Sequence, residues 1–346
     1  MSVHRLGLPS RVEMYTSVLL FPMKWLHALP ALSLFLLICG CGPQIPGSDS
    51  RSESLAEARK GFQTRLLRHE RESGPAPEPP QQLFRLVRYT SPAGQLAAYV
   101  SPPPGDGKRH PIVLWITGGF SNSIDEVSWT RFPPNNDQSA SAFREAGLLM
   151  MYPSFRGGND NPGSKEDLFG EVDDVLAAVS YVSQLDYADP DRIYLGGHST
   201  GGTLALLAAE CGNRFRAVFS FGPVGDVRGY GDDTIPFDSS IPKESLLRAP
   251  GRWLKSIQNP TYVFEGTDGR TNIKSLGIMS KSEHPEGVHF HPVAKADHFS
   301  TLAPVTHLIA QKILADTGPS VNIAFTDEEL AKAVASYPGS AKAKHN

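Results

Sequence analysis

Residues 192–206 read RIYLGGHSTGGTLAL, and this stretch decides the fold. An apolar run leads into a tight turn, and a run of small and apolar residues typical of a helix follows it. Gly197 and Gly201 flank Ser199, because a Cβ at either position would crowd the turn. The Gly-x-Ser-x-Gly pattern alone is weak evidence for a nucleophilic serine. Here the sequence also has the strand pattern before it and the helix pattern after it that such a site requires. We therefore predict a strained elbow that exposes Ser199 as a nucleophile, with the Thr200 N–H able to bind an oxyanion.

Short apolar runs alternate with helical patterns on both sides of this elbow. The predicted strands are 112–117, 148–152, 193–196, 217–221, 261–264 and 288–293, and a hairpin of residues 83–89 and 95–100 precedes them. The predicted helices are 139–146, 171–184, 201–209 and 301–315. Continuous apolar strands separated by helices are typical of a parallel sheet covered on both faces. The sequence therefore predicts an α/β fold with a mostly parallel central sheet and helices on both faces.

A nucleophilic serine needs a general base, which should lie in a loop after the last strand. His298 lies in the stretch ADHF at residues 296–299, between the last predicted strand and the last predicted helix. His289 and His291 lie within that strand, and His307 lies on the helix. We therefore predict His298 as the base. The pair His289 and His291 has no third ligand at metal-site spacing, so no metal site is predicted.

The acid that orients the base should follow the preceding strand. The stretch TYVFEGTDG at residues 261–269 offers Asp268 past the strand end and Glu265 near it. Asp268 is preferred, because Gly266 turns the chain and directs the carboxylate toward the histidine loop. Glu265 is expected to point into the sheet edge or to cap a neighbouring backbone. Asp226, after the strand 217–221, is a third candidate, and the sequence leaves the three open.

A second oxyanion donor should come from the loop after the strand 112–117. This loop reads Thr117-Gly118-Gly119-Phe120, where the absent side chains let the backbone approach a substrate oxygen. The backbone N–H of Gly119 or of Phe120 is the predicted donor. The alternative is a plain tight turn.

The composition of the chain excludes several classes of protein. Of its 346 residues, 40% are hydrophobic and 20% are charged, and the formal net charge is −3. This is typical of a globular protein with one large domain. No Lys/Arg cluster stands out, so nothing points to nucleic acid as a partner. Three cysteines are too few for a disulfide scaffold.

The N-terminal region has the pattern of a secretory signal. A Met-Lys-Trp start at Met23 precedes an apolar stretch and the ending Ile-Cys-Gly-Cys at residues 38–41. This ending resembles the bacterial lipobox, in which the last Cys is lipidated. The apolar run is well below the ~20 residues that a membrane span requires. We therefore predict a lipoprotein-type signal peptide over residues 1–40, lipidation of Cys41 and a membrane-anchored place in the bacterial cell envelope, with Met23 as an alternative start.

Three further segments follow the predicted signal. Residues 41–82 are predicted to form a tether, with one amphipathic helix over residues 54–70 and a Pro-rich break at residues 74–80. Residues 83–317 form the predicted catalytic domain. Residues 318–346 form a C-terminal tail, in which residues 327–335 have the pattern of a short helix.

The region from about Leu83 to Leu314 resembles the catalytic domain of the prolyl oligopeptidase family within the α/β-hydrolases. Besides the elbow, the matching stretches are YPSFRGG (152–158), EVDDV (171–175), DPDRI (189–193), RAP (248–250), EGTD (265–268) and ADHF (296–299). The resemblance implies the α/β-hydrolase fold and a catalytic triad of Ser199, Asp268 and His298. It also implies that Arg156 orders a loop and takes no part in catalysis.

Three departures from the family pattern bear on function. The turn from Gly266 to Asp268 is one residue shorter than usual, and Thr117 stands where relatives often have His or Tyr. No β-propeller precedes the predicted domain. Since the propeller is what restricts oligopeptidases to short peptides, peptidase specificity does not follow from the resemblance. Relatives that stand alone are often carboxylesterases.

Together these features predict a secreted, lipid-anchored serine hydrolase that cleaves an ester or an amide through an acyl-enzyme. We favour a carboxylesterase at this point, with a small-molecule ester or a short peptide as substrate and no metal or organic cofactor. The alternatives are a prolyl-oligopeptidase-like serine peptidase and a catalytically dead α/β-hydrolase that acts as a binding module. The segment 225–255 is expected to shape the substrate pocket.

Overall fold

The computed structural model describes residues 54–231 and 235–337, and an eight-stranded sheet runs through them. The strands are β1 (Arg85–Ser91), β2 (Gly94–Val100), β3 (His110–Ile116), β4 (Leu149–Pro153), β5 (Ala188–His198), β6 (Ala217–Phe221), β7 (Thr261–Gly266) and β8 (Val288–Val293). The α-helices are α1 (Leu55–Arg59), α2 (Ser141–Glu145), α3 (Gly170–Val182), α4 (Thr200–Cys211), α5 (Pro242–Leu246), α6 (Ile273–Met279), α7 (Leu302–Ala315) and α8 (Asp327–Ser336).

The strand order is β1-β2-β4-β3-β5-β6-β7-β8. The hairpin β1–β2 is antiparallel and β2 pairs antiparallel with β4, whereas every later neighbour pair is parallel. The predicted mostly parallel α/β sheet is therefore confirmed. Because parallel strands end at the same edge, the loops after β3, β5, β7 and β8 converge there, as ligand-binding loops of such sheets do.

Alternating side chains of the central strands fill two apolar layers, one on each face of the sheet. On β3, Ile112, Leu114 and Ile116 join the layer covered by α3 and α4. Val113 and Trp115 point to the other face, where α2, α7 and α8 pack. Each large apolar side chain buried in this way contributes about 2–3 kcal/mol. The elbow therefore follows a strand whose neighbour β3 is buried on both faces.

Residues 54–82 pack against this body, so the prediction of a tether is wrong for them. Leu55 on α1 is fully buried in the layer of α4. Arg59 donates to Asp173 Oδ1 at 2.8 Å, and Leu66 forms a β-bridge with Phe237. The predicted helix over residues 54–70 is confined to α1, because the chain beyond it takes its partners from the body. Residues 41–53 of the predicted tether lie outside the described residues.

The tail also extends the fold. The helix predicted at residues 327–335 is confirmed as α8, which begins with a capping box between Thr326 and Glu329. Leu330 and Val334 are buried in the apolar layer beside α7. The body therefore continues beyond the predicted boundary at residue 317. The predicted signal peptide and Cys41 lie outside the described residues, and none of the described helices is long and apolar enough to cross a membrane.

Candidate active site

Ser199 lies between β5 and α4 in a strained backbone conformation, with φ 55° and ψ −114°. Its N–H donates to Phe221 O at 2.7 Å, which fixes the turn to the neighbouring strand. A Cβ at Gly197 would lie 2.4 Å from Gly201 O, so the turn can close only over glycine. Non-glycine residues in this region of φ and ψ are typical of functional sites. The predicted elbow is present.

His298 lies in the loop between β8 and α7, and its acid partner is Glu265. Nδ1 of His298 is 3.0 Å from Glu265 Oε2, and the side chains are 12% and 1% exposed. The Glu265 carboxylate also accepts from the N–H groups of Gly266 at 2.8 Å and Asn272 at 3.1 Å. Since a carboxylate accepts, His298 Nδ1 donates, and Nε2 is left with the lone pair that a general base needs.

The structure differs here from the prediction of Asp268 as the acid. The Asp268 N–H donates to Ala296 O at 2.9 Å, and its carboxylate accepts from the Thr267 hydroxyl at 3.2 Å. Asp226 caps a short 3₁₀ helix, Val227–Tyr230, and pairs with Arg228. The carboxylate that is hydrogen-bonded to His298 Nδ1 is that of Glu265.

The reason lies in the short turn after β7. A Cβ at Gly266 would lie 2.5 Å from the backbone of Ala296 and Asp297, so the histidine loop passes directly over the strand end. Glu265 stands next to this contact, and its side chain is one methylene longer than that of Asp. The carboxylate therefore reaches His298 from the strand itself. Of the two expectations for Glu265, the cap on neighbouring backbone is present at Gly266 and Asn272, but the same carboxylate also faces His298 and does not point away into the sheet edge.

The loop after β3 lies beside the start of α4. The Thr200 hydroxyl donates to Gly119 O, and Lys165 Nζ donates to Phe120 O. Gly119 has φ 104°, a conformation that favours glycine. The structure thus brings together the chain segments that carry the predicted oxyanion donors Thr200, Gly119 and Phe120. Phe120 itself is 48% exposed and stands at the mouth of the site.

Tyr230 is a residue of the site that the sequence analysis did not single out. Its hydroxyl lies 2.7 Å from Thr203 Oγ1, and the Thr203 hydroxyl also lies 3.2 Å from the backbone oxygen of Ser199. Its ring packs edge-on against Phe120, with centroids 5.7 Å apart. Burial raises the pKa of Tyr230, so the phenol stays protonated. The sequence pointed to Tyr230 in one way only: the residue lies in the segment 225–255, which was predicted to shape the substrate pocket.

The same segment borders an open groove of about 790 Å³. One wall is formed by residues 224–229 and the other by α6, and the cationic side chains along it are those of Arg228, Arg252 and Lys274. Residues 232–234 of the segment lie outside the described part of the chain.

Arg156 lies in a buried ion-pair network. It binds Asp174 through Nε and Nη2 at 3.0 and 2.9 Å, and Glu166 through Nη1 at 2.7 Å. These contacts order the loop after β4, as the resemblance implied. In the described ranges no group of three or more His, Cys, Asp or Glu side chains could hold a metal ion. His291 packs against Tyr262, and burial followed by the nearby His289 lowers the pKa of His291 to about 4.

The sheet order, the elbow after β5 and the histidine loop after β8 define an α/β-hydrolase. Within this superfamily, the model of the prolyl oligopeptidase family matches residues 134–248. The predicted resemblance to the catalytic domain of that family is confirmed, and so is the prediction of an enzyme of the serine hydrolase class.

Two curated relatives share this resemblance. An uncharacterised peptidase of Bacillus subtilis strain 168, YtmA, is 27% identical over 186 residues, which cover 50% of this chain and 66% of the relative. Prolyl oligopeptidase A of Galerina marginata is 31% identical over 110 residues, which cover 30% of this chain and 14% of the relative. The chain therefore spans less than two thirds of the length of these relatives.

Solved structures agree on the fold. A puromycin-hydrolyzing peptidase of Mycobacterium tuberculosis has a TM-score of 0.54 at 19% identity, covering 70% of this chain and 40% of that one. The 2,6-dihydroxy-pseudo-oxynicotine hydrolase has a TM-score of 0.50 at 17% identity, covering 68% of each chain.

Proposed function

We propose that the chain is a serine peptidase that cleaves short peptides by acyl transfer through Ser199, His298 and Glu265. The observation that carries the proposal is the 3.0 Å contact between His298 Nδ1 and the buried Glu265 carboxylate, next to a strained serine elbow. The prolyl oligopeptidase match and two relatives named as peptidases favour a peptide over the ester that the sequence analysis preferred.

The chemistry follows from the order of these groups. Ser199 Oγ attacks the carbonyl carbon of the substrate while its proton passes to His298 Nε2. Glu265 accepts the Nδ1 proton in a hydrogen bond, which holds the imidazole in the tautomer that can receive this proton and stabilises the imidazolium.

The negative charge that develops on the substrate oxygen needs fixed donors. The Thr200 N–H at the start of α4 and an N–H of Gly119 or Phe120 are the proposed donors, each directed at the reacting carbonyl. His298 then gives its proton to the leaving amine, which departs and leaves an acyl-Ser199 ester. A water molecule that passes its proton to His298 hydrolyses this ester and restores the enzyme.

The test is covalent labelling combined with a substrate panel. A fluorophosphonate should modify Ser199 in the purified chain, and Ser199→Ala should abolish labelling and lower turnover by about 10⁶-fold. Dipeptidyl and tripeptidyl amides should be cleaved at a measurable kcat/KM, which a carboxylesterase would not do, whereas p-nitrophenyl esters have so good a leaving group that either enzyme would cleave them. Turnover by Ser199→Ala would refute the mechanism. An absolute preference for esters would return the assignment to carboxylesterase, and an unlabelled, inactive chain would indicate a binding module.

We also propose that the enzyme is exported and anchored through a lipid on Cys41. Support comes from the sequence alone: the apolar core after Met23 and the ending Ile-Cys-Gly-Cys. In a bacterial host, Cys41→Ser should leave an unprocessed precursor without lipid. Mass spectrometry that finds a mature N-terminus elsewhere, with no acyl group, would contradict this proposal.

A further inference from the structure

A buried chain of hydrogen bonds joins the loop that carries His298 to the loop after β3. His198 Nε2 lies 2.9 Å from the backbone carbonyl oxygen of His298. On the other side of the ring, His198 Nδ1 lies 3.0 Å from Gln138 Nε2. Gln138 Oε1 in turn accepts from the Gly118 N–H at 3.2 Å. Two side chains therefore connect the backbone of the proposed base with the first glycine of the proposed oxyanion loop.

Hydrogen-bond chemistry gives each member of this chain one orientation. A carbonyl oxygen can only accept, so His198 donates its Nε2 proton to His298. His198 Nδ1 then carries the lone pair and accepts from the amide of Gln138. The other amide hydrogen of Gln138 goes to Asn136 Oδ1 at 2.8 Å. All polar atoms of the Gln138 side chain are thus engaged, and His198 is neutral.

The environment keeps His198 neutral during the reaction. Its side chain is 1% exposed, and its ring centroid lies 4.5 Å from that of His298. Burial, followed by the proximity of His298, lowers the pKa of His198 to about 3. Because His298 becomes positively charged when it takes the serine proton, an uncharged neighbour at this distance adds no repulsion.

The far end of the chain is fixed to the sheet. Trp115 at the end of β3 donates through Nε1 to Gln138 O at 2.8 Å. The carboxylate of Asp137 accepts from Ser139 and Ser141, which holds the segment before α2. A Cβ at Gly118 would lie 2.8 Å from His198 Nδ1, so the loop after β3 can pass this close to the ring only with glycine at this position.

We propose that His198 is a positioning residue that sets the separation between the base His298 and the Gly118 loop during acyl transfer. The inference rests on the proposed function, since it gives His198 a part in that reaction. Base and oxyanion donors must act on one carbonyl group at the same time, and a misplacement of about 1 Å costs about 10²-fold in rate. His198 is hydrogen-bonded to the backbone of His298 directly and to that of Gly118 through Gln138.

Three variants test whether His198 positions the catalytic groups or only stabilises the folded state. His198→Phe keeps a flat ring but loses both hydrogen bonds, and should lower kcat and the rate of fluorophosphonate labelling by about 10- to 100-fold with KM within about threefold. His198→Gln keeps a side-chain N–H at a similar reach and should recover about tenfold of this loss. Gln138→Leu breaks the Gly118 end and should cost about tenfold. His307→Gln, on the exposed face of α7, is the matched control and should behave as wild type.

The outcomes distinguish this inference from the proposed function. Labelling of wild type at Ser199 together with unchanged rates in all His198 and Gln138 variants overturns the positioning role alone. A loss that follows the folded fraction in thermal unfolding, with His198→Gln no better than His198→Phe, makes His198 structural and also overturns it. If wild type itself is not labelled, the proposed function fails and this inference falls with it.

Discussion

Glu265, the penultimate residue of β7, places Oε2 3.0 Å from Nδ1 of His298. The residue is paired in register with Pro292 of β8, so the carboxylate is carried by the sheet. In the resemblance drawn from the sequence, the acid sits in the turn that follows this strand. The carboxylate that orients the base is therefore carried by a buried strand, whereas the turn after it binds the backbone of the histidine loop through the Asp268 N–H.

The first prediction concerns this carboxylate. Glu265→Gln keeps the shape but replaces the acceptor with a group that can present an N–H to His298, which favours the wrong tautomer. We expect kcat to fall by about 10⁴-fold, as it does when a triad acid is made neutral. Steady-state kinetics on the best peptide amide measure this, with circular dichroism to confirm the fold.

The matched controls for this prediction are Asp268→Asn and Asp226→Asn. Each should lower kcat by less than about tenfold, because these side chains hold a turn and a helix cap. A crippled Asp268→Asn beside a mild Glu265→Gln would mean that the acid lies in the turn after all.

The second prediction concerns the hydroxyl that joins α4 to the loop after β3. Thr200→Val is nearly isosteric and removes the donor to Gly119 O, so the loop that carries the proposed donors loses one of its hydrogen bonds to the elbow. We expect kcat to fall by about 10-fold with little change in KM, since only the transition state uses these donors. Thr200→Ser keeps the hydroxyl, so its kcat should stay within about threefold of wild type. Equal kcat values for Thr200→Val and Thr200→Ser would show that this hydroxyl does not hold the loop for catalysis.

The third prediction concerns Glu210 on α4, which is 2% exposed. Neither carboxylate oxygen has a hydrogen-bond partner among the described residues. Burial raises the pKa of Glu210 well above its ordinary value, so the folded state holds a proton that the unfolded chain releases. Stability contributed by this proton is present at low pH and is lost as the pH rises above about 4.3, by about 1.4 kcal/mol per unit until the folded pKa is reached.

Glu210→Met removes this dependence. The variant should unfold at a higher temperature than wild type at pH 8, and the difference should shrink at pH 5. Thermal unfolding across this range at constant ionic strength is the measurement. A variant that is destabilised equally at both pH values would show that Glu210 has a partner.

The fourth prediction concerns a buried ion pair. The side chains of Arg248 and Glu244 are both fully buried, and Arg248 Nη1 lies 2.6 Å from Glu244 Oε2. Arg248 Nη2 also donates to Thr64 Oγ1 at 2.7 Å. Arg248→Met leaves the Glu244 charge without its partner and should lower the free energy of unfolding by about 3–5 kcal/mol. Urea unfolding measures this, and the double variant with Glu244→Gln should recover part of the loss. If Arg248→Met is neutral, the pair contributes nothing to stability.

The sequence was sufficient for the fold and for the strained elbow that carries the proposed nucleophile, because both depend on local patterns. Apolar runs of strand length alternate with helices, and the glycines around Ser199 have a steric reason that is readable from the chain. The histidine was found because its loop has a fixed place in the strand order. His198 stands next to Ser199 in the elbow, but its partners Gln138 and His298 are 60 and 100 residues away in the chain, so the sequence gives no sign of these contacts.

The acid could not be chosen in the same way. Which carboxylate reaches His298 depends on how closely the histidine loop approaches Gly266, and that distance is a property of packing. The shortened turn was visible in the sequence, yet its consequence for Glu265 was not. Residues 54–82 were assigned to a tether for a similar reason: their composition is that of a linker, and their partners, such as Asp173, lie far away in the chain.

The packing of residues 54–82 reaches the site itself. The Glu72 carboxylate accepts from Ser121 and from the N–H groups of Asn122 and Ser123, directly after Phe120. A protease that cut this strap, or an expression plasmid that began at residue 83, would leave the sheet whole but free one side of the loop that faces the nucleophile. A fragment that keeps the proposed activity is therefore expected to need Glu72, which lies before the stretch that resembles the family.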